Sequence, residues 1–141
     1  MYITGENIMD ITPEERFARA YIRKSRRERV LYELTTPGKR ARGLDRFCHG
    51  TPELIDPAKV LLAGGDLVRQ PDFARFVRKH EGDCDILSPD PGLDGLRLSL
   101  ADAVNLAFYC LDAVIILGDG FALVFGEAEK GGRDQFLLSE K

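Results

Sequence analysis

AVIILGDGFALVFGE, residues Ala113–Glu127, is the stretch whose reading decides the fold. An apolar run enters Gly118-Asp119-Gly120 much as a strand enters the glycine turn of a dinucleotide site. Such a turn requires G-x-G-x-x-G and then a helix whose N-terminal N–H groups meet the pyrophosphate. Here Gly120 is followed by Phe121-Ala122-Leu123-Val124-Phe125, aromatic and β-branched, and the third glycine is missing from its place. A phosphate-binding Gly-Lys-Ser/Thr occurs nowhere in the chain. An Asp-Gly pair between two apolar runs signals a β-hairpin instead, because a type I′ turn needs two residues that accept positive φ. The reading is a turn, and no cofactor is expected.

The hairpin strands are almost wholly apolar, whereas a half-exposed antiparallel strand alternates. Both faces therefore need cover. Helices expected at 72–80 and 99–111 supply one side. The other calls for the N-terminal helices or for a second copy, which would make a homodimer, since monomers seldom expose an apolar face of this size.

At 141 residues, with 44% hydrophobic and 30% charged side chains, the chain fits one soluble domain. No apolar run approaches the roughly 18–20 residues that span a bilayer, so no membrane partner is expected. The start, MYITGENIMDI, lacks a basic segment followed by an apolar one, as a secretory signal would have. Cys48, Cys84 and Cys110 are few, odd in number and far apart, which suits a reducing cytoplasm better than a disulfide framework. The net charge of −3 hides an asymmetry: residues 1–49 carry 11 Lys/Arg against 7 Asp/Glu, and residues 50–141 carry 9 against 16. Such a dipole can orient a charged partner or align two copies head to tail.

Thr12-Pro13-Glu14-Glu15 has the N-cap, N1 proline and N3 glutamate of a helix start. Phe17, Ala20, Tyr21, Leu31 and Leu34 then share one helical face, but RKSRRER, residues 23–29, is polar on every side. A continuous helix would project there into solvent or be covered from outside. A second helix at about 38–49 points Ala41, Leu44, Phe47 and Cys48 inward, with Lys39, Arg42 and Arg46 opposite. Residues 59–63 read as a strand, with a helical turn as the alternative. Phe73, Phe76, Val77 and His80 form an i, i+3, i+4, i+7 stripe on the helix at 72–80, and residues 85–88 read as a strand. SPDPGLDG, residues 88–95, is a loop. Ser99 caps a helix with Leu100, Val104, Ala107, Phe108 and Leu111 inward. Strands follow at about 113–117, 121–127 and 134–138, with Gly131-Gly132 as the second turn. The fold class is α+β: one domain, residues 1–141, with a basic helical segment at about 13–49 and an α+β core at about 55–141 ending in an antiparallel meander packed on helices.

No residue is singled out as catalytic. Cys48 and His49 are helix neighbours about 100° apart and cannot pair directly; a core thiol beside a capping imidazole accounts for them. His80 and Cys84 offer two metal ligands where a closed zinc site needs four, so no metal is expected. Asp83, Asp85, Asp90 and Asp94 fail the EF-hand register, since Ser88 stands where glycine is required. Asp102, Asn105 and Tyr109 line one helix face and are candidates for the pocket of a small-molecule-binding or enzymatic domain, with the wet side of an amphipathic helix as the plain account.

The basic N-terminal half is the strongest functional pointer. Arg23, Lys24, Arg26, Arg27, Lys39, Arg42 and Arg46, together with Arg29 and Arg40, suit an acidic protein surface or phosphates. A solvated face is the plain account of such a run. With no nucleic-acid-binding motif and an acidic chain overall, a protein partner ranks ahead of nucleic acid. The expectation is a small cytoplasmic protein that acts by macromolecular interaction, as a regulator or neutralising partner.

Overall fold

The computed structural model describes residues 11–127 and 133–140. Its centre is a six-stranded sheet: β1 Val60–Gly64, β2 Asp83–Leu87, β3 Arg97–Ser99, β4 Val114–Leu117, β5 Phe121–Phe125 and β6 Gln135–Ser139. The strand order is β1-β6-β5-β4-β2-β3 and every neighbouring pair is antiparallel. The C-terminal meander is thus β4-β5-β6, widened by β2 and β3 on one side and β1 on the other. β3 goes beyond the sequence expectation, because three residues leaving a glycine-rich loop carry too little pattern to be read as a strand. The Gly131-Gly132 turn lies outside the described residues.

The opening stretch is a hairpin. Leu117 pairs with Ala122, and the Gly118 N–H donates to the Phe121 carbonyl at 3.0 Å. Only Gly120 takes a positive φ, 84°; Asp119 does not. The turn is therefore not the mirror-image type I′ expected from the sequence, and Gly120 alone supplies the left-handed residue. Gly118 is required for a different reason. A Cβ on it would lie 2.2 Å from the Phe121 ring, which folds back over the glycine.

Both sheet faces are covered, and by the chain itself. Four helices come first: α1 Pro13–Tyr21, α2 Arg27–Thr35, α3 Arg40–His49 and the single turn α4 Thr51–Leu54. Phe17, Tyr21, Leu34, Leu44 and Phe47 from the first three pack with Ile115, Leu117, Ala122, Val124 and Leu138 of the sheet. On the other face, α5 Pro71–Lys79 and α6 Leu100–Tyr109 bring Phe73, Leu100, Ala103 and Ala107 against Val114, Ile116, Leu123, Phe125 and Leu137. The strict alternation of Val114/Ile116 with Ile115/Leu117 sends successive side chains into opposite layers, as strand geometry demands. The N-terminal helices cover the second face.

The segment expected as one helix from Thr12 to Leu34 is two helices. Ile22 is extended and bridges to Ile55, the Arg23 N–H donates to Leu54 O at 2.8 Å, and the Asp56 N–H donates to Tyr21 O at 2.8 Å. A short 3₁₀ turn, Lys24–Arg26, then redirects the chain into α2. The returning segment at residues 54–56 competes for the backbone groups a continuous helix would use, and RKSRRER wraps a corner instead of projecting. α3 leaves Ala41 exposed and buries Gly43, whose missing Cβ lets α2 approach; a Cβ there would meet Glu33 Cβ at 2.9 Å. The side chain of Cys48 lies outside the described residues. α6 is also rotated from expectation. Ala103 joins Leu100 and Ala107 inside, whereas Phe108 is 54% and Leu111 74% exposed. Leu111 lies past the helix end, where helical spacing no longer applies, and the two alanines let the helix sit close to the sheet.

Arg40, the first residue of α3, ties the layers together. Its guanidinium donates to both carboxylate oxygens of Asp94, at 2.7 and 2.9 Å, and to Leu34 O at 2.9 Å, and lies 2.7 Å from Glu14. One side chain thus joins the start of α1, the end of α2 and the loop between β2 and β3. Donation to Asp94 raises its already high pKa further, against the opposing effect of burial.

Two substitutions test this architecture. Gly118→Ala is expected to destabilise the protein by about 1–3 kcal/mol, because Phe121 must leave a packed site; denaturant titration reads the change. Arg40→Met is expected to cost about 2–4 kcal/mol in the same measurement, since it leaves Asp94 and Glu14 half-buried without their cation.

Candidate functional site

The seven basic residues selected from the sequence divide into structural and outward-facing groups. Arg27 belongs to the first: its Nε donates to Ala18 O at 3.2 Å and its Nη2 to Ile22 O at 3.3 Å, closing the C-terminal end of α1. A cation at that end also complements the helix dipole. Arg23 donates from Nη2 to Pro52 O at 3.2 Å, and its Nε is buried without a partner among the described residues. Arg46 is paired with Glu33. Lys24, Arg26, Lys39 and Arg42 are exposed, and among the described residues none has a carboxylate within ion-pair distance. The same holds for Arg29.

Where α2 and α3 meet, these residues frame a cleft of about 230 Å³. Arg26, Arg29 and Arg46 form its rim with Glu33, while Val30, Phe47 and Leu54 form an apolar floor. The rim has a local surplus of two positive charges, because Glu33 is matched by Arg46 alone. Arg26 and Arg29 share the rim because three residues make about one helical turn. Gly43 also lines the cleft, so the close contact that needs a glycine shapes its floor. Such a rim binds carboxylates or phosphates through forked guanidinium donors, and the floor accepts an apolar side chain. Charge spacing shows the rim in the sequence; the floor joins residues from three separate elements and leaves no local signal.

Asp102, Asn105 and Tyr109 are all exposed on the outer face of α6. A broad depression of about 380 Å³ lies beside them between α6 and α5, and Asn105 is the one member of the trio that lines it. Its other walls are Val68, Val77, Ala101, Val104 and Phe108, so the polar groups do not converge. The Asp-rich loop is occupied with internal bonds. Asp94 holds Arg40 and accepts from the Ser88 N–H, Asp85 pairs with Arg16 and Arg97, and Asp90 accepts from the Gly92 N–H.

His80 stacks on Phe76 with ring centroids 3.9 Å apart, and its Nδ1 lies 2.9 Å from the Phe76 carbonyl. Cys84 is buried, and that burial raises its thiol pKa, with Asp85 adding to the shift. A thiol held protonated is a poor nucleophile and metal ligand. His49 is exposed, with its Nε2 3.1 Å from Glu127 and 3.5 Å from Asp45. No helix among the described residues is long and apolar enough to cross a membrane. No family model, curated protein or solved structure matches the chain.

The division between structural and outward-facing arginines has a direct readout. Arg27→Gln is expected to lower stability by about 1–3 kcal/mol, having lost charge-assisted bonds to two carbonyls. Arg26→Gln should stay within about 0.5 kcal/mol of the parent, as exposed substitutions usually do. Chemical denaturation of the two variants side by side checks both.

Proposed function

We propose that the protein acts by binding another protein, whose acidic segment docks in the cleft between α2 and α3. One observation carries this reading: among the described residues Arg26 and Arg29 have no partner, and they stand beside Arg46 above a floor of Val30, Phe47 and Leu54. Most other arginines near the helices are consumed by internal bonds, so unpaired guanidiniums at an apolar hollow stand out from the solvated background. A segment presenting a carboxylate next to an aliphatic or aromatic side chain matches both features. Desolvation by the apolar residue would strengthen the charged pairing beyond what an exposed ion pair offers. Lys24 and Arg42 extend the positive field around the rim and speed encounter with an acidic surface. The role fits a regulator or neutralising partner, and the cytoplasmic setting expected from the cysteine usage belongs to the same proposal.

The experiment is affinity capture from a lysate of the source cells, run with and without nuclease treatment. Arg26→Glu/Arg29→Glu is expected to lose at least tenfold of the captured protein, and moderate salt should release it from the parent. Arg78→Glu on α5, far from the cleft, should capture as the parent does. Equal capture by the double variant sinks the proposal. Capture abolished by the nuclease would transfer the surface to nucleic acid.

A further inference from the structure

A second cleft, of about 270 Å³, lies between α1 and the turn joining β4 to β5. Tyr21 and Arg16 line it from α1, Leu117 and Asp119 from the hairpin, and Glu140 from the residue after β6. Tyr21 is 1% exposed, yet no hydrogen bond to its hydroxyl exists among the described residues. The ring is enclosed, but the hydroxyl is not one of the enclosed polar atoms left unbonded, so it opens onto the cleft, where a guest can bond it. The ring is held by Phe17, 5.6 Å away between centroids, in the cluster under α1. Burial raises the phenol pKa, and Glu140 and Asp119 raise it further while Arg16 opposes them. Its oxygen thus lies in the field of three groups lining the same cleft.

The charges there do not balance. Arg16 is paired with Asp85 at 2.7 Å, and Arg19, also in the lining, with Glu15 at 2.6 Å. Asp119 and Glu140 have no basic side chain within ion-pair distance among the described residues; Lys59 reaches Glu140 only at its main-chain oxygen, 2.6 Å away. The cleft therefore holds two exposed carboxylates without a basic partner among the described residues and one phenol oxygen, all able to accept, beside the apolar walls of Leu117 and Ala20. We propose that this cleft binds a small primary alkylamine, whose ammonium donates its three N–H bonds to Asp119, Glu140 and Tyr21 while its methylenes lie on the apolar wall. The same carboxylates repel phosphate, so the glycine turn that superficially resembles a nucleotide site is suited to the opposite charge.

Calorimetric titration of the whole chain with n-butylamine and putrescine tests the site, with tetramethylammonium and calcium as comparators. Saturable binding of the primary amines is expected, weakened at least tenfold in Asp119→Asn and in Glu140→Gln, and severalfold in Tyr21→Phe. Tetramethylammonium, which has no N–H to donate, should bind much more weakly. Absence of saturable amine binding would overturn the assignment. So would equal binding of tetramethylammonium, a preference for calcium, or unchanged affinity in the two carboxamide variants. Arg26→Glu/Arg29→Glu should leave amine affinity intact, which keeps this site separable from the protein-binding cleft.

Discussion

A hairpin that is apolar on both faces must be buried on both faces, and the rest of the architecture answers that requirement. All nine residues of β4 and β5 are buried. Their alternate side chains enter two separate hydrophobic clusters, so neither layer of helices can be removed without exposing half of the sheet's centre. At about 25 cal/mol per Å² of apolar surface, such exposure would exceed the whole stability of an ordinary domain. The N-terminal helices are therefore part of the core. Their charges can project only from the side turned away from the sheet.

The uneven charge of the sequence acquires its meaning from this arrangement. Basic residues of the first half meet acidic residues of the second within one molecule: Arg16 with Asp85, and Arg40 with Asp94. Much of the apparent dipole is thus cancelled internally, in half-buried positions where pairing matters more than at an open surface. What faces outward is the remainder, chiefly Lys24, Arg26, Arg29, Lys39 and Arg42. A functional surface on these helices is thus defined by subtraction.

Much of the fold was legible from short-range signals. Thr12 and Ser99 cap their helices as their spacing implies, with N–H donors at 3.1 and 3.2 Å. The apolar runs became strands, and the stripe of Phe73, Phe76 and Val77 turned toward the core side. Failures occurred where distant segments compete for the same backbone. The first helix stops at Tyr21 because residues 54–56 pair with its end, and no local pattern announces that. The position of the turn at Asp119 is legible in the sequence, but its type depends on the backbone signs that Phe121 and the flanking strands impose. For the sites, charge was visible and shape was not. Arg26 and Arg29 could be selected by composition, whereas Phe47 and Leu54 beneath them, and Glu140 opposite Asp119, are brought close only by tertiary folding.

The placement of β6 has a consequence for how the protein is made. That strand lies between β5 and β1, although β1 is synthesised long before it. Until residues 135–139 leave the ribosome, β1 has no neighbour and the growing chain carries an unfinished sheet. Pairing across so long a separation is slow, because the intervening loop must be closed before any contact rewards it. The nascent polypeptide therefore passes through an interval with two open strand borders, when chaperone protection matters most.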